Sequence, residues 1–112
     1  MLTIDALREY GANVDEGLGR CMGNEALYLK LVNTIPTEKN FETLKKSLDN
    51  NDLESAFDAA HALKGITGNL ALTPLYDPIV EITELLRARK EMDYSEKLGV
   101  ILESRDKLGD LI

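Results

Sequence analysis

Apolar residues recur at helical spacing along almost the whole chain, and only Pro36, Pro74 and Pro78 interrupt the pattern. No stretch shows the strict alternation of a half-buried strand, so the fold is expected to be all-α. An amphipathic helix is marginal alone in water and hides its apolar stripe only against another helix. With 112 residues there is chain for one domain around one core. The expected architecture is an antiparallel four-helix bundle with a short N-terminal helical extension.

Residues 3–10 read as a short amphipathic helix with Leu2, Ala6 and Leu7 as packing residues. GANVDEGLGRCMGN is glycine-rich and holds a turn and one short helix. Asn24 caps the next helix, which carries Leu27, Leu31 and Ile35 at helical spacing, flanked by Tyr28 and Val32. Pro36 allows a break, with Thr37 capping a new helix, or a kink in one long helix. The phase shared by Leu27, Leu31, Thr34, Phe41 and Leu48 favours the kink, although threonine is a poor core residue. DNND at 49–52 signals a turn with Asn50 or Asn51 as cap, and a helix follows over 52–69. Thr73–Pro74 and Asp77–Pro78 are two cap–proline pairs, either of which can open the next helix. That helix carries Leu75, Ile79, Ile82, Leu85 and Leu86. The last one uses Tyr94, Leu98, Ile101, Leu102, Leu108 and Ile112.

Charge and cysteine content narrow the function. Twenty acidic against thirteen basic residues leave a net charge of −7, which argues against a general nucleic-acid or anionic-membrane binder. Lys45, Lys46, Lys64, Arg87 and Arg89 could still form local positive regions. Cys21 is the only cysteine, so an intrachain disulfide and a cysteine-built zinc site are excluded. MLTIDALREY does not read as a secretory leader and no apolar run reaches membrane-spanning length. A soluble cytoplasmic domain is expected.

The run AHALKGITGNL, residues 60–70, holds the only histidine. On a wheel of about 100° per residue, Leu53, Ala56, Ala59, Ala60, Leu63, Ile66, Thr67 and Leu70 fall in one broad sector. That sector lies opposite His61, so it is the core face and His61 points to solvent. Glu54, Phe57, Asp58, Lys64, Gly65 and Gly68 gather around the histidine. A glycine inside a helix costs about 1 kcal/mol relative to alanine. On the solvent side, the expectation is that both glycines clear a path for another molecule to approach the imidazole. Phe57 reads either as a bridge to the adjacent helix or as an apolar anchor for a docking partner.

A convex helix surface offers no walls for a small substrate, which disfavours ordinary hydrolytic or transfer catalysis here. A docked protein changes this. Imidazole is a nucleophile toward phosphoryl groups and is substantially unprotonated near neutral pH. Asp58 is within helical reach of His61, and Lys64, one turn away, can offset phosphoryl charge.

HALKG at 61–65 matches the His-x-Leu-Lys-Gly signature of histidine-containing phosphotransfer (HPt) domains, with NDLESAFDAA before it and GNLAL after it. The chain resembles that family over residues 20–112, which leaves 1–19 as an N-terminal helical cap. The resemblance implies that His61 is the phosphorylated histidine, that Lys64 stabilises phosphohistidine, and that Gly65 gives the partner access to the ring. Leu63 corresponds to the family's buried leucine. Some relatives carry a glutamine on the next helix that contacts the imidazole. Thr83, beside Glu84, stands nearest to that place. Small hydroxyl residues often follow Lys-Gly in the family; here Ile66 and then Thr67 follow.

The implied role is a phosphocarrier, not a self-sufficient enzyme. It relays a phosphoryl group between His61 and receiver-domain aspartates in a two-component phosphorelay. The implied partner is a response-regulator receiver domain, which a hybrid histidine kinase can also carry. Mg²⁺ is expected on that partner and no cofactor on this chain, which is expected to be monomeric. The alternative is a non-catalytic helical adaptor that binds a protein through the same face, from Phe57 to Gly68.

Overall fold

A computed structural model describes residues 1–112. The chain is all-helical, without strands: α1 (Ile4–Tyr10), α2 (Val14–Arg20), α3 (Glu25–Asn33), a 3-10 turn (Ile35–Thr37), α4 (Lys39–Asp49), α5 (Leu53–Asn69), α6 (Thr73–Arg87) and α7 (Ser95–Gly109). Helix α5 packs against both α4 and α6, and α7 lies against α6. One cluster of 25 buried residues runs through the whole molecule, from Leu2, Leu7 and Val14 to Ile101 and Leu108. The short N-terminal helices therefore share the core of the longer ones.

Local chemistry sets most boundaries. The Asn24 side chain accepts from the Leu27 N–H at 3.0 Å and opens α3 as expected. At the 49–52 turn the cap is Asp52, not Asn50 or Asn51, and it accepts from the Ser55 N–H at 3.1 Å. Asn51 instead takes the left-handed position that closes α4, with φ of 54°. Helix α5 ends in the same way. Ala71 has φ of 54°, Leu72 N–H reaches the Thr67 carbonyl, and Ala71 N–H reaches that of Gly68. Helix α6 begins at the earlier proline, Pro74, with Pro78 inside it, but Thr73 is already helical and the cap position is Leu72, which makes no side-chain cap bond.

Three expectations are corrected. The chain breaks after α3 instead of kinking through Pro36. A 3-10 turn carries the proline, Glu38 turns extended at ψ of 125°, and its carboxylate accepts the Asn40 N–H to start α4 afresh. Proline cannot supply the backbone donor that a continuous helix needs there. The inward face of α3 is also shifted by one residue. Tyr28, Val32 and Ile35 are buried, whereas Leu27 and Leu31 are 38% and 37% exposed. The cause is non-local: the Tyr28 hydroxyl donates to the Leu70 carbonyl at 2.9 Å, and its ring occupies the space that a side chain on Gly17 would need. Ile112, expected in the last stripe, is 46% exposed.

Candidate functional site

The site is built on α5. Its buried residues, Leu53, Ala56, Ala59, Ala60, Leu63 and Thr67, lie on the stripe read from spacing, while Ile66 is only half-buried. Small side chains dominate this stripe and let α4 and α6 approach closely on either side. Thr67 keeps its hydroxyl satisfied in the core by donating to the Leu63 carbonyl at 2.8 Å. The helix is thereby fixed in rotation, and His61 is left exposed on the opposite face.

The nearest aromatic neighbour of the imidazole is Phe57, one turn earlier on the same helix. The two rings stack with centroids 5.6 Å apart and planes 20° from parallel. Phe57 is half-buried and packs against the core, so it bridges core and site. From the end of α6 come two guanidinium groups, Arg87 at 5.0 Å and Arg89 at 5.1 Å from the Phe57 ring centre. The positive charges of Arg87 and Arg89 thus gather at Phe57, the residue that stacks on the histidine. Asp58 is exposed on the same helix.

On the other side of His61 lies an open depression of about 750 Å³. His61, Lys64, Gly65 and Gly68 of α5 border it, together with Leu31 of α3 and Tyr76 of α6. Lys64 is half-buried, so its stem lies along the surface. The two glycines differ. A side chain on Gly65 would meet nothing within 4 Å, which leaves the approach beside His61 open. On Gly68 it would come within 2.7 Å of the Tyr76 ring, so this glycine is a packing contact between α5 and α6. Open space thus lies beside Gly65 alone, and the place beside Gly68, expected to clear the approach as well, is filled by Tyr76.

Thr83 is fully buried and its hydroxyl donates to the Ile79 carbonyl at 2.6 Å. Its single proton is committed within α6, so Thr83 does not take the place of the glutamine that contacts the imidazole in some relatives. Spacing did not disclose Tyr76, Leu31 or Arg20 as neighbours of the site. The Arg20 guanidinium donates to the Gly68 carbonyl at 2.7 Å and pairs with Glu16, tying α2 to the end of α5. These contacts join residues far apart in the chain, and a lone exposed arginine gives no periodic signal.

No group of three or more His, Cys, Asp or Glu side chains is placed to hold a metal ion, and no helix is long and apolar enough to cross a membrane. The arrangement offers an exposed imidazole on a helix fixed by the core, with Phe57 stacked on one side, an open depression on the other, and Lys64 one turn away. No curated protein and no solved structure matches the chain. A family model for the Hpt domain matches residues 37–111, from the turn before α4 to the end of α7. With two-thirds of its length matched and His61, Lys64 and Gly65 on one open face, the chain belongs to the Hpt domain family.

Proposed function

We propose that this chain is a phosphocarrier in a two-component phosphorelay and that His61 is the residue phosphorylated. Hpt domains serve histidine phosphotransfer and meet the receiver domains of response regulators and kinases. In this reading the antiparallel four-helix bundle is α4 to α7, narrower than the expected 20–112, and all the earlier helices, not residues 1–19 alone, cap it. The observation that carries the reading is the exposed imidazole beside the open backbone of Gly65, opposite the buried stripe of α5.

The unprotonated ring nitrogen of His61 attacks the phosphorus of a receiver aspartyl phosphate. An N–P bond forms, the P–O bond to aspartate breaks, and the carboxylate leaves with its electron pair. The imidazolium formed can release the proton of its other nitrogen to water. Lys64 offsets charge on the phosphoryl group, and Mg²⁺ would sit on the receiver. The reverse sequence passes the group onward. Little else is asked of this chain, since the receiver supplies the acyl phosphate and the in-line geometry.

Replacing His61 with alanine tests this against the adaptor reading. A phosphocarrier variant remains folded and loses transfer completely. An adaptor variant keeps both its partner affinity and its downstream effect.

A further inference from the structure

We propose that Phe57 is a positioning residue for the His61 imidazole, and that Arg87 and Arg89 hold Phe57 in that place; this rests on the phosphocarrier reading. An exposed histidine on a helix samples several rotamers, and only some present a ring nitrogen to a docked phosphoryl donor. Something must narrow that choice. Thr83 of α6 does not do so by hydrogen bonding, since it is buried with its hydroxyl on the Ile79 carbonyl. What the structure supplies is a stack. One face of the imidazole lies near-parallel to Phe57 at 5.6 Å. A ring so placed is restricted in rotation by the aromatic neighbour on one side, and its other side borders the open depression.

Phe57 in turn is held from two directions. Its inner edge packs on the core, and the guanidinium groups of Arg87 and Arg89 lie 5.0 and 5.1 Å from its centre. Both guanidinium groups are themselves anchored: Arg87 pairs with Glu84 at 3.3 Å, and Arg89 donates to the Leu86 carbonyl at 2.7 Å. Arg89 occupies the left-handed position that closes α6, with φ of 53° and its N–H on Leu86. Glycine suits that backbone better than arginine does. Arg89→Gly therefore removes the guanidinium while favouring the fold, which separates positioning from stability.

The test measures the rate of His61 phosphorylation by phosphoramidate, a small donor that needs no partner. Variants are Phe57→Leu, Phe57→Tyr and Arg89→Gly, with imidazole rotamer and tautomer followed by nitrogen NMR. Expected is a rate about tenfold lower in Phe57→Leu, a near-normal rate in Phe57→Tyr, and a loss of about threefold in Arg89→Gly at unchanged or higher urea midpoint. The imidazole signals of the two slow variants should show rotamer averaging. If Phe57→Leu is not folded, Arg89→Gly alone decides. Wild-type rates and unaltered imidazole signals in folded Phe57→Leu and Arg89→Gly would overturn the positioning role. A wild-type protein that takes no phosphoryl group at His61 would instead sink the phosphocarrier reading beneath it.

Discussion

The ring of Tyr76 stands 2.7 Å from where a Cβ on Gly68 would be. Two glycines three residues apart on one helix thus serve different ends: Gly68 admits α6, and Gly65 leaves the surface beside His61 bare. Gly68→Ala gains helix propensity of about 1 kcal/mol but overpacks against the ring, which typically costs about 1–3 kcal/mol. A net loss of about 1 kcal/mol is expected in urea denaturation, turning into a gain when Tyr76→Ala is also present.

Gly65→Ala is expected to act in the opposite way. A methyl group there touches nothing within 4 Å, so the fold gains up to about 1 kcal/mol from propensity alone. Transfer from a receiver should nevertheless slow by about tenfold, because the methyl group stands where the partner must approach. A more stable variant with undiminished transfer would contradict the role given to Gly65.

Gly17→Ala tests how firmly the N-terminal helices are fastened to the core. The added Cβ would lie 2.5 Å from the Tyr28 ring and 2.8 Å from the Leu70 carbonyl, and Tyr28 is itself fully buried. Neither neighbour has room to retreat. Thermal unfolding should show a loss of about 2–3 kcal/mol. Tyr28→Phe, which only removes the hydroxyl donated to Leu70, should lose about 1–2 kcal/mol.

Acid should weaken the N-terminal cap of α5. Hydrogen bonds from Ser55, first its backbone N–H and then its side chain, hold the Asp52 carboxyl below its ordinary value of 3.8. A carboxyl lowered in the folded state contributes stability above its unfolded pKa and loses it as pH falls through the folded value. Urea midpoints of wild type and Asp52→Asn should therefore differ by a constant amount near neutrality, with wild type higher. The gap should begin to shrink near pH 3.8 and close as pH falls through the lower value of the folded state. A gap that persists unchanged in acid would show that the charge of Asp52 does not contribute.

Much of α5 could be read from sequence because its pattern is local. The stripe from Leu53 to Thr67 obeys one period, and the exposed position of His61 follows from it. The errors arose where distant chain decides. Leu27 and Tyr28 offer almost equal claims to the interior, and only the Leu70 carbonyl, 42 residues away from Tyr28, favours the tyrosine. Pro36 permits a kink or a break, and the phase that joins Leu27 and Leu31 to Phe41 misleads because α3 leaves those two leucines exposed. Gly68 is visible as a glycine, but its purpose depends on how α6 crosses α5. Thr83 lies on a predictable face, yet its hydroxyl turns back to Ile79, a choice that spacing does not encode.

The most direct test of the phosphocarrier role is intact mass after mixing the protein with phosphorylated receiver domains and Mg²⁺, with His61→Ala in parallel. The expected result is one acid-labile phosphoryl group on wild type, present with at least one receiver and absent from the variant. A folded wild-type protein that stays unphosphorylated across the full receiver set of its cell, or a His61→Ala variant that still gains the group, would contradict it.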